Sequence, residues 1–217
     1  MNFFSLATND ACNVGDGGGP LVQGKSPDYR AVGLVSHVIK CGDQLYPTAY
    51  TRLSPYSSWI ESKGGPQIIP TTPELETTST EVPTTPAPAI RHCTVATGAA
   101  QFPFMVSILN SATFDPLCAG FIYNEQYVVT TASCVIRYWN CSANVFSTNQ
   151  IDIGNRKTVS MLNVTVGQFR FDRPEISEKT FPVSSVVLNP LYRESNQSNN
   201  IAIVKVLSRH SIVVISM

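Results

Sequence analysis

The sequence predicts an all-β protein in two pieces, and three observations carry that prediction. Short apolar runs rich in β-branched residues recur on both sides of the chain, at Ala31–Ile39, Phe104–Leu109, Tyr127–Ala132 and Ile201–Val206. Each has strand length and is bounded by Gly, Pro, Asn or Ser, the residues that punctuate strands. Between the two sides the composition changes: from Lys63 to His92, Pro and Thr dominate, charge is sparse and no hydrophobic period survives. Such a stretch cannot recover its ordering entropy through burial, so it reads as a disordered linker, either O-glycosylated or a plain spacer. Helical signals, the third observation, concentrate in Ser54-Pro55 and the YSSWIES that follows, with Ser as cap, Pro in the first turn and Lys63-Gly64-Gly65 as the stop. The expected organisation is residues 1–62, a linker 63–92, and residues 93–217.

Composition narrows the function classes. Lys and Arg number 15 and Asp and Glu also 15, so the net charge of zero gives no general footprint for nucleic acid or an anionic membrane. Charged residues are only 14 % of the 217 and hydrophobic ones 43 %, which is not the profile of a charged disordered chain. No apolar run reaches the roughly eighteen residues a membrane helix needs. The opening MNFFSLATNDAC has no basic segment and no cleavage site, and so fails as a signal peptide. Six cysteines and sequons at Asn140, Asn163 and Asn196 point instead to an extracellular, oxidising environment. The two readings meet if translation starts upstream of Met1; the alternative is that an Asn/Ser/Thr-rich chain produces sequons by chance.

The most informative segment is Cys12–Val22, CNVGDGGGPLV. A glycine-rich loop cradles phosphate when Lys-Ser/Thr and a helix follow it, whereas here Pro20-Leu21-Val22 enters a strand, so that use is excluded. The loop resembles the nucleophile loop of the trypsin-like, chymotrypsin-fold serine proteases, in which GDSGGP carries the catalytic serine and its backbone N–H groups form the oxyanion hole. Gly17 stands at the serine position. The resemblance continues through Gly33-Leu34-Val35-Ser36, Cys41-Gly42, the run Tyr50–Tyr56, and Trp59-Ile60, which match the family's closing strands and C-terminal helix. It implies a Cys12–Cys41 disulfide beside the specificity pocket and Asp10 near the pocket aspartate, with one residue more than trypsin between Cys12 and Gly15. It also implies binding positions at Gly15, Ser36 and His37, the last where the family usually carries a cleft tryptophan.

After the linker, Gln101–Ile108 is similar to the opening strand of the same domain type, and Cys118-Ala119-Gly120-Phe121-Ile122 with Val128–Cys134 is similar to CGGxL…VLTAAHC. The resemblance implies a Cys118–Cys134 disulfide, with Ser133 at the general-base histidine. Asn199–Val206 resembles NDIALLKL and places Asn200 at the triad aspartate. The implied fold is therefore partial double β-barrel: the C-terminal part of one trypsin-like domain, then the N-terminal barrel of a second that is truncated and short of strand partners. Cys93 and Cys141 pair with each other or find partners elsewhere, since sequence does not fix connectivity. Ser142–Thr158 reads as a surface loop. Trypsin-like zymogens are cut to free an amine that pairs with the aspartate at Asp16; here Arg91 is followed by HCTVATG, which does not match such a terminus.

The residues at the three triad positions decide the expected chemistry. Gly17 has no side-chain atom to attack a carbonyl, a serine hydroxyl at Ser133 cannot hold a proton at neutral pH, and Asn200 carries no charge to stabilise an imidazolium. His37, His92 and His210 fall at none of these positions, and no ligand spacing among them suggests zinc. No cofactor is expected. The expectation is a non-catalytic serine protease homologue that binds proteins, proteases or their substrates, as a cofactor or decoy in an extracellular proteolytic cascade. Two alternatives stay open: a fragment of a multi-domain serine-type endopeptidase whose active domain lies outside the chain, or an incomplete gene product with no fold of its own.

Overall fold

Strands form where apolar and polar residues alternate, and in this chain several of them are buried on both faces. The computed structural model describes residues 2–5, 15–25, 28–37, 48–67, 102–140, 159–168, 176–207 and 217. Strands β1 (Asn2–Ser5), β2 (Pro20–Gln23), β3 (Arg30–His37) and β4 (Thr48–Arg52) build a four-stranded antiparallel sheet in the order β1-β4-β3-β2. A 3₁₀ turn at Ser54–Tyr56 leads into helix α1 (Ser57–Gly64). Strands β5 (Met105–Asn110), β6 (Pro116–Asn124), β7 (Tyr127–Thr130), β8 (Leu162–Val166), β9 (Lys179–Leu188) and β10 (Ala202–Val206) close a barrel in the order β10-β7-β6-β5-β8-β9, with helix α2 (Ala132–Asn140) after β7.

The all-β class is as the sequence predicts, but the barrel is not short of partners. Six strands close it. Two of them, β8 and β9, were hidden in sequence because β8 is only LNVTV and β9 is interrupted by Pro182 and a Ser pair. The run at Tyr127–Ala132 is also shorter as a strand: β7 stops at Thr130 because Ala132 and Val135 turn into the barrel core on α2. The helical candidate starts later than its Ser-Pro signal. Pro55 sits in the 3₁₀ turn closed by the Tyr56 N–H on the Leu53 carbonyl at 2.8 Å, and no side chain caps α1; the Ser57 hydroxyl donates to the Ser54 carbonyl at 3.2 Å.

Alternation along the barrel strands divides their side chains between two cores. Val106, Ile108, Ile122, Val128, Val164 and Val204 fill the barrel. Their neighbours Phe104, Phe121, Tyr123, Val129, Ile201 and Ile203 point outward and meet Ala31, Leu34, Leu53, Tyr56 and Ile60 of the first segment. This second core explains why β10 is a nearly continuous apolar run: both of its faces are covered. Burial of each Leu, Ile or Phe there contributes about 1.5–3 kcal/mol to holding sheet and barrel together.

Polar ties reinforce the same contact. The last carbonyls of a helix lack intrahelical donors. In α1 the Gly64 carbonyl receives the Asn124 amide at 2.8 Å, and the Gly65 carbonyl receives the Tyr123 hydroxyl at 3.0 Å. The Tyr56 hydroxyl donates to Asn199 Oδ1 at 2.8 Å. Among the described residues no helix is long and apolar enough to cross a membrane.

Candidate functional site

The glycine-rich loop ahead of β2, the first turn of α2 and the residue before β10 converge at the junction of sheet and barrel. The loop is held by backbone bonds on both sides. Gly18 N–H donates to Val35 O at 2.8 Å and Val35 N–H to Gly19 O at 2.9 Å, within the sheet, while Ala119 N–H on β6 donates to Gly17 O at 2.8 Å. Gly18 has φ +81°, and a Cβ there would overlap Thr130 Oγ1 and the Ala119 carbonyl, so glycine is required twice over. Gly17 has no such demand: a Cβ would meet only Cys134 Sγ, at 3.7 Å. That sulfur belongs to the Cys118–Cys134 disulfide, which is formed as the resemblance implies, and it lies 3.2 Å from the Gly17 carbonyl as a proton-free contact.

Asn200 is fully buried and organises the site. Its Oδ1 accepts the Ser133 N–H at 2.8 Å. Its Nδ2 has three acceptors in reach: Ser36 Oγ at 2.9 Å, Ser133 Oγ at 3.0 Å and Gln197 Oε1 at 3.1 Å. The amide orientation is fixed by the backbone, because a reversed amide would set two donors against each other at Ser133. Thr51 Oγ1 donates to the Asn200 carbonyl at 3.0 Å, so β4 grips the same residue. Ser133, 9 % exposed, lies 3.4 Å from Thr131 Oγ1 through its hydroxyl. The approach to Asn200 is a tight turn in which Gln197 and Asn199 take left-handed φ values of 53° and 54°. Asn tolerates that region; Gln is an unusual occupant.

The structure thus brings Gly17, Ser133, Asn200 and Ser36 to one junction, although about a hundred residues separate Ser36 from Ser133 in the chain. Gly15 and Asp16 line a cavity of about 210 Å³ next to the loop, with Ser107, Cys118 and Gln168 on its walls. His37 is exposed at the end of β3. Asn196 is exposed in the turn before Asn200, its Oδ1 holding the Ser198 N–H at 3.1 Å, whereas Asn163 is half-buried mid-strand between Leu109 and Pro182. Asn140 ends α2. Asp10, Cys12, Cys41, Cys93, Cys141, His92 and His210 lie outside the described residues, as do residues 68–101 and Ser142–Thr158. Sequence reasoning missed Thr51 and Gln197 as partners of Asn200; both reach it through the tertiary fold, and only the Asn199-Asn200 pair, turn-prone and adjacent to a strand, was a visible signal.

As chemistry, the surroundings of Asn200 are a hydrogen-bond cluster of amides and hydroxyls. The side chains of Asn200, Ser133, Ser36, Gln197 and Thr131 carry no ionisable group at neutral pH, and among the described residues no three His, Cys, Asp or Glu side chains gather as metal ligands.

The family model described as Trypsin matches residues 2–60 and 93–214. Over 52 residues the chain is 42 % identical to Trypsin Tyr p 3.0101 of Tyrophagus putrescentiae, covering 24 % of this chain and 16 % of that protein. It is 40 % identical over 58 residues to tissue-type plasminogen activator of Sus scrofa, covering 27 % of this chain and 10 % of that protein. A longer, weaker match is to granzyme-like protein 1 of Rattus norvegicus, 25 % identical over 100 residues, 46 % of this chain and 31 % of that protein. The chain therefore spans less than a third of the length of each of these curated relatives.

Proposed function

The chain belongs to the trypsin family, and from that premise we propose that it acts without hydrolysis, as an extracellular protease homologue that binds proteases or their substrates as a cofactor or decoy. The observation that carries this reading is the Asn200 cluster. A Ser-His-Asp triad needs a nucleophile, a general base and a carboxylate that orients that base within hydrogen-bond reach; the positions that the family resemblance aligns with these hold a bare Cα, a serine hydroxyl and an amide whose oxygen accepts a backbone N–H. A hydroxyl is no base at neutral pH and a glycine offers nothing to activate. Loss of triad members lowers turnover by about 10⁴–10⁶.

The reading is supported by the retained loop and disulfide and by His37, which is exposed at the end of β3. An extracellular setting is supported by the disulfide and by the exposed sequon at Asn196. A second reading is a fragment of a multi-domain serine-type endopeptidase, in keeping with a match to the Trypsin family model in two separate stretches, residues 2–60 and 93–214.

Fluorogenic peptides with basic, aromatic and small residues before the scissile bond, incubated with the purified chain, test the first reading. No turnover sensitive to a serine protease inhibitor is expected. Sequencing the full transcript tests the second: an adjoining domain with intact His, Asp and Ser supports the multi-domain endopeptidase.

A further inference from the structure

The turn that delivers Asn200 to the junction also carries a sequon. Between Tyr192 and Asn200 the chain reverses through residues 193–198, closed by the Arg193 N–H on the Ser198 carbonyl at 3.0 Å. The Gln197 side chain braces this turn: its Nε2 donates to the Glu194 carbonyl at 3.0 Å, while its Oε1 accepts from the Tyr192 hydroxyl at 3.3 Å and from Asn200 Nδ2 at 3.1 Å. Asn199 Nδ2 fastens the far end to the Leu191 carbonyl at 2.9 Å.

Asn196-Gln197-Ser198 falls within the turn, and Asn196 is exposed. Its Oδ1 is in use, accepting the Ser198 N–H at 3.1 Å in an Asx turn. Its Nδ2 has no hydrogen-bond partner among the described residues. An N-linked sugar attaches through Nδ2 and leaves Oδ1 able to accept, so the folded turn admits a glycan without losing a bond. Position then gives that glycan a consequence. Gln197, the next residue, and Ser36 bond to the same nitrogen, Asn200 Nδ2, and His37 follows Ser36 at the exposed end of β3. A branched sugar chain rooted at Asn196 stands beside them.

We propose that Asn196 is N-glycosylated and that its glycan selects what reaches Ser36 and His37, admitting an extended segment of a partner and excluding a globular face. The donor is an oligosaccharide on a lipid diphosphate: Nδ2 bonds to the anomeric carbon, the bond from that carbon to the diphosphate breaks, the diphosphate leaves with the electron pair, and one amide proton is released. In the natural protein this rests on the extracellular binding reading above, whose partner it narrows to one that offers an extended chain.

The full chain made behind a cleavable secretion leader in glycosylating cells tests the proposal without depending on the natural compartment, and no readout depends on turnover. Release by peptide N-glycosidase in heavy-oxygen water is expected to mark Asn196 in most molecules. Ser198→Ala removes the hydroxyl that transfer requires and should abolish the mark, yet it keeps the Asx turn, which uses the Ser198 backbone N–H; Ser198→Thr should restore it. His37→Cys then serves as a reporter in chains with and without Ser198→Ala. Loss of the glycan is expected to speed labelling by a maleimide carried on lysozyme at least threefold and to leave labelling by a maleimide on a short extended peptide unchanged. Asn196 marked in fewer than half of the molecules, a smaller change with the lysozyme probe, or an equal gain with both probes would overturn the proposal.

Discussion

Asn200→Ala removes the side chain that joins Ser133 on α2 to Ser36 on β3, and its cost can be worked from the structure. The Ser133 N–H, buried at the start of α2, loses the Asn200 Oδ1 acceptor, and an orphaned buried donor costs about 1–3 kcal/mol. The bonds donated to Ser36 and Ser133 hydroxyls are worth at most about 1 kcal/mol each, because a hydroxyl can re-aim, as Ser133 can toward Thr131. The expected destabilisation is about 2–4 kcal/mol, or a Tm lower by roughly 4–16 °C for a chain of this size. Urea unfolding monitored by tryptophan fluorescence, with far-ultraviolet circular dichroism on the same samples, measures it. Ser36→Ala supplies the second arm of a double-mutant cycle, and because the Ser36 hydroxyl accepts from the Asn200 amide, the two changes should be less costly together than their sum by about 0.5–1.5 kcal/mol. A cost under about 0.5 kcal/mol for Asn200→Ala, or strict additivity with Ser36→Ala, refutes the reasoning that this amide ties the sheet to the barrel.

Adjacent glycines in the loop should respond in opposite ways. Gly17→Ser places its Cβ at ordinary contact distance from Cys134 Sγ and should change stability by less than about 1 kcal/mol, whereas Gly18→Ala combines a left-handed backbone with overlap onto Thr130 and Ala119 and should cost about 3 kcal/mol or prevent folding; thermal melts of the pair decide, and equal tolerance contradicts the loop geometry. Alkaline pH should weaken the fold through two tyrosines. Burial raises the Tyr56 hydroxyl above its ordinary 10.0, and burial followed by the nearby Glu61 charge raises that of Tyr123. The unfolded chain therefore releases these protons first, so the contribution is full below pH about 10 and is lost as pH climbs through the folded values. Tyr56→Phe and Tyr123→Phe should flatten that decline in urea midpoints measured from pH 9 to 11, and unchanged slopes would count against the assignment.

What could be read in the sequence was what local chemistry encodes. The strands around Cys118 and Cys134 and the β10 run were visible because apolar patterning is a local property, and the disulfide and the Gly17–Val22 loop because local motifs there resemble those of the trypsin-like family. The closure of the barrel was not, since β8 is five residues long and β9 contains Pro182, so their strand character comes from neighbours that register them. Helix α2 was missed for a related reason: Thr-Thr-Ala-Ser-Cys continues a β-branched run, and only packing of Ala132 and Val135 into the barrel turns it helical. At the junction, Gly17, Ser133 and Asn200 could be named from sequence, but the roles of Thr51 and Gln197 could not, because both are set by tertiary contact. The outward faces of Phe121 and Ile203 looked like ordinary strand residues until the sheet was seen covering them.

The claim at the centre of this account is that a protease scaffold holds its junction together with neutral hydrogen bonds in place of reacting groups. Intact-mass spectrometry of the folded chain after incubation with a fluorophosphonate reads that directly. An unchanged mass is expected under conditions that label trypsin completely; a single phosphonyl adduct mapping to Ser133 or Ser36, lost on denaturation before labelling, would contradict a junction without reacting groups.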